Sequence, residues 1–107
     1  MNLTVRPCLP PGFQASGVAA GIKKSGKLDL ALFYSEVPAR VAAVFTSNSI
    51  KAAPLQVCKK YLIRNKYFQA LIANSGNANC FTGKSGLEDA KQMGVLAARE
   101  LGVRKET

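Results

Sequence analysis

The sequence predicts an α+β protein in which one sheet of about four strands carries two helices. Short apolar runs bounded by Gly, Pro, Asn or Ser are typical of strands, and two longer segments repeat their apolar residues with helical spacing. The 107 residues, 48% hydrophobic and 20% charged, suffice for one globular domain with a modest core. We therefore expect residues 1–107 to form a single segment without an internal boundary.

The first half of the chain is predicted to form strands. Residues 1–13 contain three prolines and are expected to be extended. The apolar stretches 16–22 and 29–36 flank the turn sequence KKSGK, which predicts a β-hairpin whose second strand ends at Pro38. Residues 40–48, RVAAVFTSN, predict a third strand that closes on polar turn residues.

Two helices with a strand between them are predicted in the second half. Pro54 suits the first turn of a helix whose apolar residues recur at helical spacing. Residues 67–73, YFQALIA, predict a fourth strand. Ser85 and Glu88 form an S-x-x-E capping box, which predicts the start of a second helix that ends before Gly102. Two helices cover one face of such a sheet, so we expect further polypeptide on the other face.

Charge and composition restrict the chemistry. A net charge of +9 favours anionic partners without choosing among nucleic acid, acidic metabolites and an acidic chain. The absence of His removes Ser-His and Cys-His catalysis and, with three scattered cysteines, argues against a metal site. Cys8, Cys58 and Cys80 are predicted to be free, buried or half-buried thiols. No membrane span or signal peptide is recognisable, so a cytoplasmic protein without membrane contact is expected.

The stretch ANSGNANCFTGKSGLEDA, residues 73–90, holds the main candidate site. Its NSGNAN part, Asn74–Asn79, places three Asn, a Ser and a Gly at the end of an apolar strand. Carboxamides there can bind a substrate carboxylate or orient an oxyanion device. A polar turn explains the same residues equally well, because Asn and Gly tolerate left-handed backbone.

Two other functions are open on the residues alone. Residues 78–85, ANCFTGKS, approach the phosphate-binding pattern G-x-x-x-x-G-K-[ST], with Lys84 and Ser85 in the functional positions. The first glycine of that pattern is missing, and a solvated Lys84 with Ser85 as helix cap explains the match. Residues 58–68, CKKYLIRNKYF, interleave basic and aromatic side chains, so a stand-alone module for RNA or a phosphorylated ligand is the alternative to an enzyme.

Several motifs in a fixed order resemble one known family. GF, SGV, KKSGKLDLAL, VFTSN, KAAP and NSGNAN followed by TG resemble the N-terminal part of the bifunctional glutamate N-acetyltransferases, or ornithine acetyltransferases, of arginine biosynthesis. The resemblance covers about residues 11–101. The chain departs from the family at residues 79–83, where the family reads N-A-C-T-G, and at Lys84, where the family often carries an acid.

The resemblance implies an α+β fold, a layered α/β/β/α-type sandwich similar to N-terminal-nucleophile hydrolases. Such enzymes cut themselves before a threonine to give an α chain and a β chain. The new N-terminal Thr moves acetyl from N-acetylornithine to glutamate, and some members also use acetyl-CoA. No bound cofactor is therefore expected, and acetyl-CoA is a candidate co-substrate.

The resemblance also implies what this chain lacks. The nucleophilic Thr and the oxyanion-hole residues are expected beyond residue 107, so no catalytic residue is assigned, Thr107 is not the nucleophile, and the chain alone is expected to be inactive. The expected partners are the remainder of the α chain and the β chain, in an α2β2 or larger assembly, and not nucleic acid. In such proteins the NSGNAN loop packs near the active site, so five residues are expected to line or support it: Asn74, Ser75, Gly76, Asn77 and Asn79.

Overall fold

The structure, a computed structural model, describes residues 8–104. Most of the predicted extended segment, residues 1–7, and the predicted non-nucleophile Thr107 lie outside the described residues. The described part confirms the α+β class with three strands and two helices. In chain order these are β1 (Phe13–Val18), β2 (Leu30–Arg40), α1 (Ala53–Arg64), β3 (Tyr67–Asn74) and α2 (Gly83–Leu101).

The sheet is antiparallel with the order β1-β2-β3, so the predicted hairpin is confirmed and β2 is central. The predicted bounds of its first strand, 16–22, were wrong, because β1 spans Phe13–Val18. The prediction that its second strand ends at Pro38 was wrong. The pairing with β3 shifts register between Tyr34 and Ala39, and then resumes to Arg40. The Ser35 hydroxyl donates a hydrogen bond to the Val37 carbonyl at 2.6 Å within this irregularity. Proline lacks an N–H and is tolerated at such a bulge, so the strand continues beyond it.

The third predicted strand, residues 40–48, was wrong apart from Arg40, which belongs to β2. The sheet therefore has three described strands instead of about four. Local side-chain bonds at the end of the segment explain the difference. The Asn48 N–H donates to the Thr46 hydroxyl at 3.2 Å, and the Ile50 N–H donates to the Asn48 side chain at 3.0 Å. Such bonds compete with strand pairing for the backbone.

One end of each helix lies where the sequence predicts it. α1 has Pro54 in its first turn, as predicted. α2 ends at Gly102, whose left-handed backbone (φ 67°) closes the helix as predicted. The capping box at Ser85 was wrong, because the cap position is Thr82 and Ser85 lies inside the helix. The first turn forms earlier because the Gly86 N–H already donates to the Thr82 carbonyl.

The core is small and lies between the two helices. Its buried residues are Ala53 and Val57 of α1 and Ala90 of α2, with Tyr61 and Leu87 partly buried around them. α1 packs on α2, and α2 packs on β3. Within the described range, neither helix combines the length and apolar character that a membrane crossing needs.

The sheet keeps one apolar face uncovered. Phe33 pairs directly with Leu71 of β3, and Phe13 lies on the same side of β1, since it pairs with Ser35. Phe13 is 45% exposed, Phe33 is 44% exposed and Leu71 is 57% exposed. We call this row of three residues the open apolar face. The chain exposes 8391 Å² in total. A folded monomer of this mass exposes roughly 5,800 Å². The expectation of one sheet face left to cover is therefore confirmed.

Candidate functional site

The five predicted site residues lie together at the end of β3 and in the connection from β3 to α2. We call residues 74–79 the amide-rich loop. Asn74 is the last residue of β3, and its carboxamide donates to the Asn77 carbonyl at 3.1 Å, which folds the loop back on itself. The Ser75 N–H donates to the Asp29 carbonyl at 2.8 Å. The start of the loop is thus tied to the residue that precedes β2.

Asn79 holds the two helices together. Its carboxamide nitrogen donates to the Gly86 carbonyl at 2.6 Å, and its side-chain oxygen accepts the hydroxyl of Thr82. Its backbone carbonyl accepts the N–H of Ala53, at the start of α1, at 3.2 Å. The side chain is therefore engaged at both ends within the fold, and Asn79 supports the loop instead of facing a ligand.

Two polar side chains of the loop face outward without a hydrogen bond to any described residue. These are the hydroxyl of Ser75 and the carboxamide of Asn77, both on exposed residues. A carboxamide offers two donors and one acceptor, and a hydroxyl offers both functions. Together they can bind a carboxylate or a carbonyl without a change of charge.

Gly76 lies between these two residues with left-handed backbone (φ 93°). A Cβ at this position would lie 2.6 Å from Cγ of Lys23, which crosses the loop at this point. Glycine is required here for both reasons, since a side chain would be strained and would collide. Gly76 is thus a turn residue, whereas its neighbours Ser75 and Asn77 have the side chains that can bind a ligand.

Asp29 supports the amide-rich loop, although no motif in the sequence marks this role. Its side chain is 3% exposed. One carboxylate oxygen accepts the Ala20 N–H at 2.7 Å, and the other accepts the N–H groups of Ile22 at 2.7 Å and Lys23 at 2.8 Å. One signal was available, because Asp29 is the only acidic residue among the first 35.

The hydrogen bonds from the backbone N–H groups of Lys23 and Ala20 are the main causes that hold the pKa of Asp29 below its ordinary value of 3.8. The folded protein therefore favours the carboxylate. The stability that this group contributes is complete above the unfolded pKa and is lost as pH falls through the lower folded pKa.

At neutral pH, Asp29→Asn is expected to lower the free energy of unfolding by an amount that does not change with pH. At acid pH the loss should be smaller. The difference from the wild type should begin to shrink near the ordinary pKa of 3.8. Urea unfolding of both proteins across that range measures it. Glu36→Gln is the matched control, because this β2 carboxylate is exposed and, among residues 8–104, bonds only the Gln14 side chain. A difference that stays the same at every pH would contradict the role of the charge.

The phosphate-loop hypothesis finds no support in the geometry. The strands around the amide-rich loop are antiparallel, whereas a phosphate loop joins a strand to a helix within a parallel sheet. Lys84 and Ser85 are both exposed, and Phe81, with φ 58°, is 83% exposed beside them. The Gly86 N–H is bonded to the helix cap instead of being free for an anion.

The aromatic and the basic residues of the stretch 58–68 have different surroundings. Tyr61 packs against the core, and the Tyr67 ring lies 5.7 Å from the guanidinium of Arg40. Lys59 and Lys60 are exposed on α1. The rings of Tyr61 and Tyr67 thus have partners within the fold, which does not favour a base-stacking surface.

The prediction that the cysteines are buried or half-buried was wrong for this chain. Cys8, Cys58 and Cys80 are free thiols on exposed residues. The small core leaves little interior to receive them. Partial desolvation raises the pKa of the Cys58 thiol above its ordinary value of 9.0. Within residues 8–104, no three His, Cys, Asp or Glu side chains come together as a metal site.

Comparisons with known proteins agree with one another. Residues 14–107 match the model of the ArgJ family. The chain is 51% identical over 96 residues to the arginine biosynthesis bifunctional protein ArgJ of Bacillus thuringiensis subsp. konkukian, covering 90% of this chain and 23% of that protein. It is 52% identical over 98 residues to the protein of the same name from Caldanaerobacter subterraneus, covering 92% of this chain and 24% of that protein.

Two solved structures are similar to the fold. The first is the arginine biosynthesis bifunctional protein ArgJ of Bacillus halodurans, with a TM-score of 0.85 and 41% identity over 90% of this chain and 50% of that chain. The second is the ornithine acetyltransferase of Mycobacterium tuberculosis in complex with ornithine, with a TM-score of 0.76 and 44% identity over 90% of this chain and 51% of that chain. The chain spans about a quarter of the length of the curated relatives.

Proposed function

The chain belongs to the ArgJ family, and from this premise we propose that it is the N-terminal segment of a longer acetyltransferase of arginine biosynthesis. The observation that carries the proposal is the identity of 51% that extends over 90% of the chain. Relatives at this level carry the name bifunctional ArgJ, and one solved neighbour is an ornithine acetyltransferase with ornithine. The alternative of a stand-alone RNA-binding module has no comparable support.

The proposed reaction moves acetyl from N-acetylornithine to glutamate through a threonine at the N-terminus of a separate β chain. The Thr hydroxyl attacks the acetyl carbonyl, the amide C–N bond breaks, and ornithine leaves with the proton on its amine. The amine of glutamate then attacks the ester, and the C–O bond breaks to restore the hydroxyl. The free α-amine of the threonine serves as the base, which is consistent with a chain that has no histidine. Acetyl-CoA is proposed as a second donor.

The role proposed for this chain is to build one wall of the site. The free hydroxyl of Ser75 and the carboxamide of Asn77 face the substrates, while Asn74, Gly76 and Asn79 hold the loop in shape. The remaining parts of the proposed assembly are the rest of the α chain and the β chain, in an α2β2 or larger complex. These parts would cover the open apolar face, which is too exposed for a finished domain.

The full-length protein is expected to transfer acetyl from N-acetylornithine to glutamate, with one ornithine released for each N-acetylglutamate formed. Chromatographic detection of both products measures the reaction. The 107-residue chain alone is the control and should form neither product. Intact-mass analysis of the full-length protein should reveal a second chain that begins with threonine. Absence of transfer by the full-length protein under all donor conditions, acetyl-CoA included, would refute the proposal.

A further inference from the structure

Two loops that are distant in sequence meet at Asp29. The first connects β1 to β2 and contains Ala20, Ile22 and Lys23; the second is the amide-rich loop itself. Asp29 lies at the junction with three separate attachments. Its N–H donates to the Val18 carbonyl at 3.0 Å, its carbonyl accepts the Ser75 N–H at 2.8 Å, and its carboxylate accepts three N–H groups of the β1–β2 connection.

The carboxylate determines the path of the β1–β2 connection. A single buried acceptor gathers three backbone donors within 2.8 Å, so the backbone of residues 20–23 converges on it. An amide in its place has one oxygen and one nitrogen that is itself a donor. That nitrogen would face backbone N–H groups, and the connection would have to move away.

The β1–β2 connection in turn presses on the amide-rich loop. The side chain of Lys23 passes over Gly76, with its Cγ at 2.6 Å and its Cε at 3.5 Å from where a Cβ of Gly76 would lie. Lys23 is half-buried in this position, whereas Lys24 and Lys27 of the same connection are exposed. A displacement of Lys23 therefore reaches Gly76 directly, and its neighbours Ser75 and Asn77 with it.

We infer that Asp29 is a positioning residue for the substrate-facing groups of the amide-rich loop. This inference rests on the proposed function. Asp29 itself is buried and contacts no substrate; it acts by holding the backbone of Ser75 and the Lys23 contact with Gly76. Displacement of the loop would weaken contacts that exist in the bound substrate and in the transition state alike, so the effect should appear mainly in KM.

The test compares acetyl transfer by full-length wild type, Asp29→Asn and Gly76→Ala. Asp29→Asn is expected to raise KM for N-acetylornithine by about 10- to 100-fold with a smaller change in kcat. Gly76→Ala disturbs the same contact from the other side and should give the same signature. The double variant should lose less than the product of the two single effects, because both act through one contact. Glu36→Gln removes the same charge from β2, the strand that Asp29 precedes, and should keep the wild-type KM.

The outcomes separate the inference from the function on which it rests. An active wild type whose Asp29→Asn and Gly76→Ala variants keep its KM, even with a lowered unfolding temperature, would overturn the inference and leave Asp29 with a structural role only. Where Asp29→Asn does not fold, the KM of Gly76→Ala decides in the same way. An inactive wild type refutes the proposed function itself, and the inference falls with it.

Discussion

Phe33→Ala is expected to destabilise the full-length protein by about 3–5 kcal/mol, the range for truncation of a buried phenylalanine. Phe33 lies at the centre of the open apolar face, on the middle strand and directly opposite Leu71. Its side chain is 44% exposed in the isolated chain, where truncation removes only part of a buried contact. The larger loss follows if the proposed remainder of the protein covers this face. Chemical unfolding of the full-length protein measures the difference.

Ile63→Ala is the matched control for Phe33→Ala. Ile63 is a large apolar residue that is 78% exposed, and it lies on α1, which packs on α2 and not on the described strands. Its truncation is expected to change the free energy of unfolding by less than about 1 kcal/mol. Equal small losses for both variants would mean that no further layer packs on the open apolar face. Phe33→Leu keeps most of the apolar area and should fall between the wild type and Phe33→Ala.

Gly86→Ala is expected to destabilise the protein by about 1–3 kcal/mol, although alanine is the better helix former. A Cβ at Gly86 would overlap Oγ1 and Cβ of Thr82 and Oδ1 of Asn79. Rotation of the Thr82 side chain cannot relieve this overlap, because its Cβ is attached to the backbone. The start of α2 would have to shift, and the bond from Asn79 to the Gly86 carbonyl would be disturbed. Thermal or urea unfolding measures the loss.

Gly94→Ala on the same helix provides a control of opposite sign. A Cβ at Gly94 would meet nothing within 4 Å, so the substitution brings only the higher helix propensity of alanine. It should stabilise the protein by up to about 1 kcal/mol. A similar gain from Gly86→Ala would show that Thr82 and Asn79 do not pack tightly on the first turn of α2.

The start of α2 and the segment after β2 illustrate where sequence patterns mislead. The S-x-x-E pattern at Ser85 is a valid local signal, but the Asn79 side chain organises an earlier turn by binding the Gly86 carbonyl. Residues 40–48 have the composition of a strand, but residues 41–48 pair with no described strand, and hydrogen bonds to Thr46 and Asn48 hold the end of the segment instead. In both cases a short polar side chain competes with the regular pattern for backbone groups.

The sequence located the candidate site but did not determine the roles of its individual residues. The density of Asn and Gly at the end of β3 located the loop, because strand ends and left-handed residues leave a readable local pattern. The pattern could not distinguish Asn79, which is bonded at both ends, from Asn77, which is free to meet a ligand. That distinction depends on where Thr82 and Gly86 lie after α2 has formed.

The α+β class, the β1–β2 hairpin, the Pro54 start of α1 and the Gly102 end of α2 all followed from the amino-acid sequence. Each of these depends on periodicity and turn residues that act over a few neighbours along the chain. The role of Asp29 could not be read in this way, although its charge is isolated in the sequence. Its contact with Ser75 joins residues brought together only by the pairing of β2 with β3. A buried carboxylate becomes stable only where the folded backbone presents enough N–H groups to replace water.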